Sequence, residues 1–178
     1  MTDHVSFVHA ARLIAEEVPD ARFVVVGEWV LTERQLIEQE ITNAGLGNQF
    51  HLVGARSDIP AILNAADVVA STSKDGEGVQ NSIIEAMSCG RPVVATDVGD
   101  ASRVHSRWDS IVPVGDYRRV ASEILRQLRQ SNAWKSAERV AHAAALFDPE
   151  RAPRETERLM VGIAARVPLQ GGESRNPR

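Results

Sequence analysis

Short apolar runs alternate with longer amphipathic segments along most of this chain. Val5 to Glu17 carries apolar residues at helical spacing, among them Val5, Val8, Leu13 and Ala15, and Pro19-Asp20 ends it. Arg22-Phe23-Val24-Val25-Val26-Gly27 is a continuous apolar run closed by glycine, the pattern of a buried parallel strand. Thr32 can cap a helix running to Ala44, with Gly45 and Gly47 beyond it. Phe50 to Gly54 reads as a second strand. Asp58 opens a short helix with Pro60 in its first turn, and Asp67 to Ser71 is a third strand.

The alternation continues with a helix from Gln80 to Ser88 and strands at Pro92–Thr96 and, more weakly, Ser110–Val114. Helices follow over Tyr117–Gln130, Asn132–Leu146 and Pro149 to about Val167. The last residues, Pro168 to Arg178, are rich in glycine, proline and charge and read as a disordered tail. Strands alternating with helices predict an α/β domain over residues 1–167, built as a Rossmann-like, doubly wound parallel sheet. Ligands of such sheets bind beyond the carboxyl ends of the strands. In this chain Ser71 to Glu85 falls there.

Composition narrows the options. The chain has 178 residues, 43% hydrophobic and 25% charged, with a net charge of −4, which gives no reason to expect a nucleic-acid partner. Arginine greatly outnumbers lysine, of which there are only Lys74 and Lys135, but no arginine cluster reaches the density of a motif. The single cysteine, Cys89, excludes an internal disulfide and reads as a small buried hydrophobe. No run approaches the ~20 apolar residues that span a bilayer, and Met1-Thr2-Asp3-His4 does not open a signal peptide. The expected location is therefore cytoplasmic. The five histidines show no ligand spacing and no Asp-x-Asp pair follows a strand, so neither metal nor cofactor is expected. A nucleophilic elbow is lacking too.

The segment Lys74 to Thr96 is the richest in chemistry. Gly78 stands before a helix whose first residues would be Val79, Gln80 and Asn81. Their N–H groups lack intrahelical partners and the helix dipole adds positive character, which suits a diphosphate; an ordinary strand-to-helix turn has the same appearance. Glu85 lies further along that helix among Ile83, Ile84, Ala86 and Met87. Its carboxylate could accept both hydroxyls of a ribose, and the apolar flanks argue against simple exposure. Glu77 would repel a phosphate, and it makes more sense facing a sugar, where it can offset charge on an oxocarbenium-like centre. It could equally be a plain loop residue beside Asp75.

Taken together, Ser73 to Thr96 resembles the Glu-Gly-x-x-Asn-x-x-x-Glu-Ala-Met-x-x-Gly-x-Pro-Val-Val-Ala-Thr pattern of the C-terminal, donor-binding half of GT-B fold, family 4 retaining glycosyltransferases. Phe23–Gly27, Leu52–Gly54, Asp58–Val68 and Thr96–Asp100 support the resemblance, which covers about residues 3–160. It implies transfer of a sugar from a nucleotide sugar to an acceptor, with retention and without a bound metal. It also implies roles: Glu77 facing the transferred sugar, Glu85 on the ribose, Gly78 to Asn81 giving amides to the diphosphate, and Gly54 and Arg56 near the base.

The departures from the pattern carry expectations of their own. The family's first strand and its cationic loop would precede Met1, as would the acceptor domain, so the chain resembles a donor-binding half truncated at its N-terminus. It is expected to be weak or inactive unless a separate N-terminal acceptor-binding subunit, or sequence upstream of Met1, completes it. The alternative is a non-catalytic nucleotide-sugar-binding or interaction module; a sugar-nucleotide epimerase of similar architecture fits the motif less well. A missing central strand would leave a gap between the strands at Arg22 and Asp67, which must then either pair directly or leave exposed edges prone to aggregation.

Overall fold

The computed structural model describes residues 2–75, 78, 80–130 and 133–146. The chain divides after Ala144 into two compact units, and nearly all described residues belong to the first. The expected helix from Pro149 and the tail from Pro168 lie outside the described residues.

The elements run α1 (His4–Glu17), β1 (Phe23–Val26), α2 (Leu31–Asn43), β2 (Phe50–Gly54), α3 (Ile59–Ala65) and β3 (Val69–Ser71). They continue with α4 (Asn81–Ser88), β4 (Val93–Thr96), α5 (Ala101–Val104), β5 (Ser110–Val112), α6 (Tyr117–Arg129) and α7 (Ala133–Leu146). Every strand pairing is parallel. The one element not anticipated is α5, a single turn in a polar stretch too short to show a period.

The strands form two sheets rather than one: β1 with β2, and β3 with β4 and β5. Strands β1 and β3 do not pair. Their outer edges are short, four and three residues, which limits the template each offers to another strand. In β1, Phe23 and Val25 enter the core while Val24 stays 47% exposed, the period-two alternation of a sheet covered on one face. Strand β4, central in its sheet, is buried at all four positions, as its unbroken apolar run requires.

Helix α1 joins the two sheets. It packs most extensively on α6 and also on α2. Its stripe of Val8, Ala10, Ala11 and Ile14 is almost wholly buried, in one cluster that includes Phe23 and Val25 of β1, Val94 of β4 and Val112 of β5. Burying Val8 and Ile14 contributes about 1.5–3 kcal/mol each. The two alanines remove little area from water but let the helix come close. Phe7 meets Phe23 and Phe50 edge-on, with centroids 6.1 and 5.9 Å away, while those two rings stack at 5.0 Å.

Helix α7 is held by a buried ion pair. Arg139 Nε donates to Asp109 Oδ1 at 2.8 Å, and both side chains are fully buried. The same carboxylate accepts the Val93 amide at the start of β4 and both the amide and hydroxyl of Ser106. Asp109 thus organises the turn before β5 with side-chain bonds. Gly90, with φ +69°, lies so close to α7 that an added Cβ would stand 2.0 Å from Ser136 Oγ.

The role given to Phe7 has a direct test. Phe7→Ala should lower the unfolding free energy by about 2–3 kcal/mol, read as a shift of the urea midpoint without loss of cooperativity. A midpoint unchanged within error would show that the aromatic contacts do not hold α1 to β1 and β2.

Candidate functional site

The carboxyl ends of the strands are tied to one another and to the start of α1. After β1 comes Gly27, whose amide donates to the Gly54 carbonyl at 3.0 Å, linking the ends of β1 and β2. After β3, Thr72 holds Asp3 twice: the Asp3 amide donates to the Thr72 carbonyl (2.6 Å), and the Thr72 hydroxyl donates to the Asp3 carbonyl (2.8 Å). Thr2 and Ser73 form an isolated antiparallel bridge beside them. Next to Asp3, His4 Nε2 accepts from Trp29 Nε1 at 3.2 Å, with the rings edge-on. Two consecutive residues therefore reach the ends of both sheets.

Asp3 also caps α1 through the amide and hydroxyl of Ser6, and pairs with Lys74 Nζ at 3.2 Å. Burial pushes its carboxyl up, but Ser6 and Lys74 outweigh that and hold it below the usual value. Burial pushes the His4 imidazole down, against the opposing pull of Glu33 and Asp3. The neutral ring is the form that can accept from Trp29.

Helix α4 begins at Asn81, one residue later than the Gln80 start read from the hydrophobic pattern and two later than the Val79 start that the glycine suggested. Gln80 is its N-cap, with extended backbone (φ −76°, ψ 103°), and Asn81 is the first helical residue. Gln80 therefore lies before the first turn, not in it; Val79 lies outside the described residues. The Ile83 amide donates to the Gln80 carbonyl. The amides of Asn81 and Ser82 have no partner among the described residues, and the helix has no side-chain cap. Ser82 was not anticipated as an amide donor because the helix start was placed too early.

Glu85 is exposed, contrary to what its apolar flanks suggested. With about 3.6 residues per turn, Ile83, Ala86 and Met87 form the buried face of α4, while Asn81, Ser82 and Glu85 share the opposite one. The expected carboxylate and the uncapped amides thus lie on one solvent-facing side. Gly78 is exposed, and its carbonyl accepts the Asp100 amide at 3.1 Å. A Cβ there would meet no heavy atom within 4 Å, so packing among the described residues does not demand glycine. Glu77 lies outside the described residues.

Gly54 ends β2 with φ +71°, a conformation that favours glycine. The neighbouring Arg56 is exposed and doubly bonded to Asp58: Nε to Oδ1 at 2.8 Å and Nη2 to Oδ2 at 2.7 Å. That pairing raises the arginine's pKa and lowers the aspartate's. The network behind the site was not anticipated from the sequence. Thr96 Oγ1 donates to the Ser73 carbonyl at 2.6 Å and reaches the Ser71 carbonyl at 3.3 Å, so the end of β4 braces the loop after β3. Among the described residues no helix is long and apolar enough to cross a membrane.

Parallel strands with helices between them place the chain among open α/β domains, whose ligand sites lie beyond the carboxyl ends of the strands. Residues 3–130 match the family described as glycosyl transferases group 1, and the chain belongs to that family. Over 109 residues it is 34% identical to the Escherichia coli UDP-Gal:alpha-D-GlcNAc-diphosphoundecaprenol alpha-1,3-galactosyltransferase, covering 60% of this chain and 28% of the relative. A 2-deoxystreptamine N-acetyl-D-glucosaminyltransferase of Niallia circulans is 27% identical, covering 74% and 34%. Among solved structures, Anabaena HepE in complex with UDP superposes with a TM-score of 0.79 at 27% identity, over 88% of this chain and 44% of that one. The chain thus spans less than half the length of each of these proteins.

The burial of His4 predicts a pH effect. The folded-state pKa of His4 lies below its ordinary 6.5, so the unfolded chain binds this proton more readily, and the contribution is present above that pH and lost as pH falls below it. His4→Gln should therefore reduce the loss of stability between about pH 7 and about pH 5.5, followed by urea midpoints at intermediate pH. Identical slopes for both proteins would contradict the assignment.

Proposed function

We propose that this chain is the donor-binding part of a family 4 retaining glycosyltransferase, taking a nucleotide sugar as substrate. The observation that carries the reading is the face of α4. Two amides without partners among the described residues, Asn81 and Ser82, open the helix, and Glu85 stands on the same side one turn further on. A diphosphate would sit against the amides and the helix dipole, and a ribose diol would reach the Glu85 carboxylate. Gly78 lets the chain enter this turn without a side chain in the way. Gly54 and Arg56, at the end of β2, would border the base. The motif assigns Glu77 to the transferred sugar, where its charge would stabilise an oxocarbenium-like transition state and support retention.

The likeness to Anabaena HepE, solved in complex with UDP, supports a nucleotide donor. Acceptor recognition would fall to the rest of such an enzyme, which is consistent with the 28–44% of each relative that this chain spans. A second reading, a nucleotide-sugar-binding module without turnover, draws on the charges. Two cations near this site, Lys74 and Arg56, are each paired with an aspartate. Neither stands ready to neutralise a departing diphosphate, and loss of one such contact costs about a hundredfold or more in rate.

A thermal melt with UDP, GDP, ADP and their common sugar conjugates tests the reading. A ligand at ~100 times its dissociation constant adds ~2.7 kcal/mol, or roughly 5–10 °C for a chain of this size. Wild type should shift with one base, and Glu85→Ala should lose most of that shift while melting normally alone. A wild type that no nucleotide stabilises would refute the proposal. Release of free sugar from the stabilising donor would then favour the transferase over the silent module.

A further inference from the structure

We propose that the side chain of Gln80 is the positioning residue of this site, holding the N-terminal amides of α4 available for an anion by bonding elsewhere. The inference rests on the functional reading above and names the group that makes that site possible. Gln80 is only 2% exposed and occupies the N-cap, yet it gives its own helix no cap. Cap residues with short polar side chains normally turn back onto the second or third amide of the helix. Here the side chain runs the other way. Its Oε1 accepts from Ser71 Oγ at 2.7 Å, at the end of β3, and its Nε2 donates to the Val98 carbonyl at 3.2 Å, in the loop between β4 and α5.

The two bonds make opposite demands. Ser71 needs an acceptor and Val98 needs a donor, both within reach of one side chain. A glutamine meets both; an ionised glutamate cannot donate, lysine and arginine cannot accept, and methionine has no donor and only a weak sulfur acceptor. The bonded amide ties three segments together: the end of β3, the start of α4 and the loop after β4. Two further bonds tighten the same junction, Asp100 N–H to the Gly78 carbonyl and Thr96 Oγ1 to the Ser73 carbonyl. With its side chain engaged, Gln80 keeps extended backbone, and the Asn81 and Ser82 amides face outward with no partner among the described residues. Loss of the tie would leave Ser71 Oγ and the Val98 carbonyl without this partner and let the first turn shift. An anion bound there depends on amide direction within a fraction of an ångström.

Calorimetric titration with UDP, GDP and ADP tests the proposal on wild type, Gln80→Met, Ser71→Ala and the double variant, below the melting range of each. For the nucleotide that wild type binds, Gln80→Met and Ser71→Ala should each weaken affinity about tenfold. The double variant should be no weaker than Gln80→Met, because both changes remove one tie. Ser71→Thr, which keeps the hydroxyl, should restore affinity near that of wild type. A merely structural role would lower melting temperatures but leave affinity unchanged in the folded variants, and that result would overturn the proposal. Additive losses in the double variant would also overturn it. If Gln80→Met does not fold, Ser71→Ala, which removes one oxygen, decides the matter against Ser71→Thr. A wild type that binds none of the three nucleotides would instead bring down the functional reading, and this inference with it.

Discussion

The structure depends on the first turn of α1. Two sheets that share no strand pairing must still present their carboxyl ends together if loops from both are to form one site. Asp3 and His4, adjacent in the chain, achieve this: one bonds the residue after β3, the other a tryptophan just past β1. Behind them the apolar stripe of α1 packs into a core shared by both sheets. The polar contacts set direction and the apolar ones supply most of the free energy, because exchanged hydrogen bonds contribute little net and buried hydrocarbon much more. A glycosyl transferases group 1 domain is thus held together at the carboxyl ends of its strands by a helix terminus.

The same region shows how charge is managed. Asp3 is buried, yet its carboxylate is surrounded by Ser6 and Lys74 and so remains tolerable. That pairing occupies the lysine nearest the α4 loop. The site we propose therefore draws its attraction for a diphosphate from backbone amides and a helix dipole more than from side-chain cations. Such a site suits recognition better than the stabilisation of a leaving group, which is why binding and turnover are separate questions for this chain.

Much of the fold was legible in the hydrophobic pattern. The continuous apolar runs at Phe23–Val26 and Val93–Thr96 became parallel strands, and the Val5–Glu17 periodicity became α1 within a residue. Gly54 was legible because its positive φ leaves few alternatives. The start of α4 was not, since the position of a helix end depends on where the N-cap side chain goes, and Gln80 is drawn away by Ser71 and Val98, distant in sequence. The exposure of Glu85 was misjudged for a different reason: sequence neighbours at one and two positions lie on other faces of a helix. Nothing local announced the ties of Asp3 to Thr72 and Lys74, about seventy residues on. The gap between the strands at Arg22 and Asp67 was expected from the resemblance; that they do not pair across it was left open by the sequence. Glu77 and Val79 lie outside the described residues, so the motif alone speaks for them.

The most direct test of the account is amide hydrogen exchange, resolved by residue, with and without a saturating nucleoside diphosphate. The account predicts slowed exchange centred on Asn81 and Ser82, extending to Gly78 and Gly54, with the amides of α6 unaffected. Unchanged exchange at Asn81 and Ser82 under saturation, or protection confined to another part of the chain, would contradict the claim that the N-terminus of α4 receives the diphosphate.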